Sequence, residues 1–234
     1  MDRQTRHDLK SDKFVAEVAH TVSFLEEHKP AIIRYGSIAL ALIVLGVAFY
    51  YWNESRKETR RLALAAAMKT FNAVISEQSD PRVTSFRTQA ERQAAIKKEL
   101  GALVANYSGT EEAAIASYLL GVNAADQGEL EESVKHLRAA ASGGGKNYGP
   151  LAKLALADVY AAQGKTEEAE KLLREVIANP SVLASKSQAT LNLARLLAKT
   201  KPAEAQKLLE PLRSESGAAS RAALTLMAEI AEKK

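Results

Sequence analysis

The chain has 234 residues with no cysteine, which excludes disulfide frameworks, thiolate metal sites and cysteine nucleophiles together. It is 47% hydrophobic but only 6% aromatic, a composition suited to helices packed closely through small side chains. The net charge of +4 lies after residue 34, scattered among acids without a basic block or aromatic interleaving, so no nucleic-acid surface is indicated.

The first thirty residues read as a short charged tail. Within it Phe14, Val18, Thr21, Val22 and Leu25 fall at helical spacing, with Ser11 as a helix start and Pro30 as its stop. This predicts an amphipathic helix lying at a membrane surface. A loosely ordered tail with chance periodicity is the plainer alternative.

From Tyr35 to Asn53, "YGSIALALIVLGVAFYYWN", nineteen consecutive residues carry no charge. A helix of that length spans about 28 Å, close to the hydrocarbon thickness of a bilayer. Tyr35 stands at one end and Tyr50, Tyr51 and Trp52 at the other, with Arg34 and the Arg56/Lys57 pair closing the span. Rings and charges so placed suit the two headgroup regions. The run is apolar on every side, unlike a core helix with a polar stripe. A cleaved signal peptide needs small residues after the apolar run, and "FYYWNES" supplies bulky ones. A single transmembrane helix over 31–53 is therefore predicted, continuing as a helical arm through "ESRKETRRLALAAAMKTFNAVISEQ" with Leu62, Ala65, Ala66, Phe71 and Val74 on its apolar face. A second helix over about 87–107 completes a lead-in segment, 54–110, and Thr110 caps the next helix ahead of Glu111 and Glu112.

Residues 111–234 repeat. Glu132, Glu168 and Glu204 share a phase, as do Ser133, Ala169 and Ala205, then Lys135, Lys171 and Lys207, then Leu137, Leu173 and Leu209, all at a period of 36. A fixed period in the thirties with two helices per unit is the signature of stacked helical hairpins. The small residue allows close approach and the leucine four positions on fills the gap between helices. Gly128 and Gly164 take the turns inside the first two units; the third has Lys201 and Pro202 there instead. A last helix over "GAASRAALTLMAEIAEKK" covers the open end. The fold predicted is all-α: an N-terminal amphipathic helix and one transmembrane helix, then an α-solenoid.

"YAAQGKTEEAEKLLREVIANP", Tyr160 to Pro180, resembles the tetratricopeptide repeat, with Tyr, Gly, Ala, a large apolar residue and Pro in order, one residue short before the proline. The likeness covers about 111–216; Ala124 and Leu197 stand where the flanking repeats usually have Tyr. The whole layout, a short charged tail, one span and then repeats, is similar to the YfgM-type ancillary subunits of the SecYEG translocon. That resemblance implies a bacterial inner-membrane anchor, repeats in the periplasm, and a non-enzymatic role passing newly exported chains to periplasmic chaperones. Protein partners, and neither nucleic acid nor small-molecule substrate, are what it implies. A scaffold for another envelope complex, such as outer-membrane assembly or cell division, is the alternative.

Charge opposes the implied orientation. Within twenty residues of the span, Lys29 and Arg34 precede it, while Arg56, Lys57, Arg60, Arg61 and Lys69 follow. The positive-inside bias would put the repeats in the cytoplasm, as an adaptor facing that side.

No catalytic, metal or cofactor constellation is legible. "SGGGKN" lacks the spacing and the Ser/Thr of a phosphate loop and reads as a flexible link between repeats. His7, His20, His28 and His136 have no partner at ligand spacing. "NYS" at Asn106 matches a glycosylation sequon by chance. The site predicted is a groove along the first helices of the hairpins, with Tyr118, Val122, Leu154, Asp158, Leu191 and Arg195 facing a peptide or protein partner.

Overall fold

The computed structural model describes residues 29–76, 84–215 and 217–232, so the amphipathic helix expected in the tail lies outside the described residues. The chain forms two compact units, Met1–Glu58 and Thr59–Lys234.

The described part of the first unit is helical and belongs to α1, Lys29–Phe71. Pro30 sits in its first turn, where a missing N–H leaves no helical bond unmade. The apolar run is exposed all round: Leu42 is 64% and Leu45 65% accessible. Its serine hydroxyl is satisfied locally, with Ser37 Oγ donating to the Arg34 carbonyl at 2.9 Å. At the far end the Arg56 guanidinium lies 4.3 Å from the centre of the Trp52 ring, and Tyr50 and Tyr51 meet edge to face.

In the second unit α1 ends at Phe71, earlier than its alanine-rich sequence suggests. Val74 and Ile75 form a two-residue strand, β1, paired in parallel with β2, Ser85–Phe86. Their β-branched side chains suit an extended backbone better than a helix, and the Val74 and Ser76 amides donate to the Thr84 and Phe86 carbonyls. The buried stripe of the arm is Leu64, Ala67 and Thr70; Leu62, Ala65, Ala66 and Val74, expected inside, are exposed. A run such as "LALAAA" is apolar on every face, so its phase is set by what packs against it rather than by its composition.

Seven further helices build the stack: α2 Gln89–Asn106, α3 Glu111–Asp126, α4 Leu130–Gly143, α5 Gly145–Ala162, α6 Thr166–Ala178, α7 Lys186–Leu197 and α8 Pro202–Leu209. A 3-10 turn at Glu210–Ser214 leads to α9, Ala218–Glu232. Thr88, Thr110 and Ser185 cap α2, α3 and α7, each hydroxyl accepting from an amide three residues on. Gly128 and Gly164 turn the hairpins at φ 76° and 75°, as their spacing predicts. The third hairpin turns at Lys201, and Pro202 opens α8 at a position where proline is preformed for a helix. The glycine run between α4 and α5 is no loose link: the helices abut at Gly144, where an added Cβ would stand 2.7 Å from the Ala140 carbonyl oxygen.

Each helix packs chiefly on its neighbours in sequence, the layout of a solenoid. Ser133, Ala169 and Ala205 are fully buried, and Leu137, Leu173 and Leu209 fill the space beside them. In the first hairpin Ser133 Oγ donates to the Gly121 carbonyl at 2.7 Å, which satisfies a hydroxyl where the later repeats have alanine. One core runs from Val134 to Ile230, and α9 closes it with Ala223, Leu226 and Ile230. A second joins Leu64 and Ala67 to Ile96, Leu100, Leu103 and Leu120.

Candidate functional site

The first helices of the three hairpins, α3, α5 and α7, carry the predicted groove. Of its six residues, Asp158 and Arg195 line one cavity of about 480 Å³ between α5 and α7. Asn192 connects them. Its Nδ2 donates to Asp158 Oδ1 at 3.3 Å, and Arg195 Nη1 donates to its Oδ1 at 3.4 Å. Lys199 and Leu196 complete the wall. Desolvation raises the Asp158 carboxyl above the usual aspartate range, and the Arg195 charge works in the opposite direction. The cavity offers a carboxylate, an amide and two cations above an apolar floor at Leu173 and Ala157. That combination suits a polypeptide carrying polar and apolar groups side by side better than one small reactant.

Leu154 and Leu191 are interior residues, 3% and 8% accessible, and leave the groove set. Tyr118 and Val122 are half-buried against the same core. The Tyr118 ring meets Tyr148 edge to face at 5.9 Å, and burial raises its hydroxyl pKa, with Tyr148 adding to the shift. Leu154 and Asp158 are four apart, as are Leu191 and Arg195, so each pair shares a helix face. Burial differs along that face because packed helices cross at an angle: the first member of each pair is covered and the second is open. Asn192 and Lys199, three before and four after Arg195, were the missed members, and helical spacing from Arg195 was the signal that could have found them.

The second helices present charge that is already paired. Arg174 bridges Glu170 at 2.7 Å and Glu204 at 2.5 Å, and Lys201 reaches Glu170 at 3.1 Å, tying α6 to the third hairpin. The Arg174 and Lys201 hydrogen bonds hold the Glu170 carboxyl below its ordinary range. Among the described residues no three His, Asp or Glu side chains converge as a metal site.

Helices stacked as antiparallel hairpins, with a polar cavity on the face of the first helices, define an α-solenoid interaction module. Comparison with known families agrees: the tetratricopeptide repeat-like domain matches residues 24–179 and again 141–225. The chain belongs to that family. The two matches overlap over 141–179, which contains the α5–α6 hairpin where the sequence pattern is clearest. No curated protein and no solved structure matches the chain. Domains of this family are typically non-catalytic modules for protein–protein interaction.

Proposed function

We propose that the protein is a membrane-anchored, non-enzymatic interaction protein, with α1 inserted in a bilayer and the hairpin stack receiving polypeptide partners along α3, α5 and α7. The observation that carries this reading is the exposure of the apolar part of α1. Every side chain from Ile33 to Trp52 is exposed, so among the described residues nothing shields the run from water. Exposed side chains such as Leu42, Leu45 and Phe49 are strongly unfavourable in water and favourable in hydrocarbon. The interfacial set, Arg34, Tyr35, Tyr50, Tyr51 and Trp52, is exposed at the two ends of that run, as a headgroup-level role requires.

In this reading the stack faces the periplasm of a bacterial inner membrane and assists secretion at the Sec translocon, receiving emerging client chains or handing them to chaperones. The support is the resemblance in layout: a short charged tail, one apolar span and then helical repeats. The second reading, a cytoplasm-facing adaptor, is favoured by the five basic residues that follow the span against two before it.

One labelling experiment separates them. The native chain has no cysteine, and Val182, 91% accessible between α6 and α7, takes one without disturbing the core. Ser181 beside it is a poorer site, because its hydroxyl accepts from the Ala184 amide. In cells whose outer membrane alone is permeabilised, labelling of Val182→Cys by a membrane-impermeant maleimide is the expected result. Protection until the inner membrane is broken would favour the adaptor.

A further inference from the structure

The basic residues that follow the apolar run differ in what holds them. Lys57 pairs with Glu54 at 3.2 Å, and Arg60 with Glu112 at 3.2 Å. Arg56 makes no ion pair and no side-chain hydrogen bond among the described residues. Its guanidinium lies instead over the Trp52 ring, 4.3 Å from the centre. The acids close to it in sequence do not serve it: Lys57 takes Glu54, and Glu58, two residues on, projects from a different side of the helix. The Phe49 ring stands beside Trp52, centre to centre 6.0 Å, and the two residues are 64% and 53% accessible. One face of α1 thus leads from an exposed apolar ring, through an indole, to a cation without a counter-charge.

The other end of the run is built differently. Arg34 adjoins Tyr35 there, and among the described residues no cation lies over a ring at that end. An arginine held on a ring has less freedom to lose when an anion binds, and its N–H donors stay available at the guanidinium edge. That planar fork fits two oxygens of one phosphate. The exposed rings alongside suit the glycerol region and an acyl chain, because indoles settle at that depth in a bilayer. A phosphate joined to acyl chains is a phospholipid. A zwitterionic headgroup carries its own ammonium beside the phosphate, so an unpaired arginine gains most from a lipid of net negative charge.

We infer that Arg56, Trp52 and Phe49 form a binding site for one anionic phospholipid, with the phosphate on the Arg56 guanidinium and an acyl chain along the Phe49 side. The inference rests on the proposed insertion of α1 in a bilayer. It is independent of which side the stack faces and of what the stack binds.

Trp52 is the single tryptophan of the chain, so indole fluorescence reports this site alone. The full chain is reconstituted in phosphatidylcholine vesicles holding a minor fraction of lipid brominated on its acyl chains, which quenches an indole on contact. The brominated lipid is phosphatidylglycerol in one series and phosphatidylcholine in the other. Quenching by the phosphatidylglycerol is expected to be the stronger, corresponding to about fivefold enrichment around Trp52. Arg56→Gln should abolish that excess, and Arg56→Lys should keep part of it. Arg61→Gln, which removes an exposed cation that lies over no ring, should leave it unchanged. Arg56→Gln breaks no ion pair, and circular dichroism checks that each variant keeps its helix content. Inorganic phosphate added at constant ionic strength should leave the excess intact; its loss there would assign the site to free phosphate and overturn the lipid. Equal quenching by the two lipids would overturn the inference. So would equal losses in the Arg56 and Arg61 variants, which would mean a general attraction of charge. In both of those cases the ring still meets lipid, and the proposed anchor stands. Quenching by neither lipid would take the ring out of the bilayer and sink the proposed function together with this inference.

Discussion

Leu137 occupies the space that a side chain on Gly121 would need: a Cβ built there would stand 2.6 Å from Leu137 Cγ and 2.8 Å from its Cδ2. The contact lies between α3 and α4, which are also joined at Gly121 by the hydrogen bond from Ser133 to its carbonyl. Gly121→Ala is expected to destabilise the stack by about 1–3 kcal/mol, the usual range for overpacking a filled core. Chemical denaturation measures it. Adding Leu137→Ala should recover part of the loss, and a Gly121→Ala protein as stable as wild type would show that the two helices are farther apart.

Leu173 is 2% accessible, packed in the core beneath the α5–α7 cavity, so a carboxylate there would be largely withdrawn from water and would displace the packing of the hairpins. Leu173→Glu is expected to unfold the repeats cooperatively, because each hairpin depends on its neighbours for burial. Circular dichroism during heating checks this. A melt like that of wild type would count against the stacking described.

Arg60 and Glu112 tie the second half of α1 to the start of α3 through a 3.2 Å ion pair, their side chains 14% and 13% accessible. Removing Arg60 leaves a carboxylate largely withdrawn from water, although Glu112 retains favourable amides in the first turn of its helix. Arg60→Leu should therefore lower stability by about 1–3 kcal/mol. The Arg60→Leu/Glu112→Leu double variant should lose less than the sum of the single changes, and strict additivity would mean that the pair is not coupled.

Groups crowding the cavity wall partly desolvate the Asp158 carboxyl and raise it above its ordinary 3.8, although the residue lies at the surface, with Arg195 pulling the other way. The native state thus holds this proton more tightly than the unfolded chain does. Stability then falls as pH rises from the ordinary value through the raised one. Asp158→Asn should melt above wild type at pH 7, and the gap should close as the pH falls towards 3.8. A variant less stable than wild type at pH 7 would show that the Asn192 hydrogen bond outweighs the desolvation.

Charge placed in the apolar half of α1 tests the anchor. Leu42→Asp with Leu45→Asp should cost about 2.5–3.5 kcal/mol per residue on insertion. The double variant is expected to move from the membrane pellet to the soluble fraction after carbonate extraction. Retention in the pellet would mean that something other than this helix holds the protein there.

The sequence by itself determined the helical class, the period and most of the punctuation. Positions recurring every 36 residues pair a small residue with a leucine, and that pairing has one economical solution, a stacked hairpin. Gly128, Gly164 and Pro202 act through their own backbone restrictions, so they could be read without knowing what packs on them. The uncharged run from Tyr35 to Asn53 was equally legible, since length and hydrophobicity are local properties. Tertiary structure alone decided which side of an alanine-rich helix is inside, why α1 stops at Phe71, and how deeply each groove residue lies. Leu154 and Asp158 share a phase, yet one is core and the other open, because helix crossing varies burial along a face. That Glu112 takes Arg60 while Arg56 stays unpaired on Trp52 was likewise invisible in sequence, because a pair between residues so far apart in the chain exists only once their helices are packed.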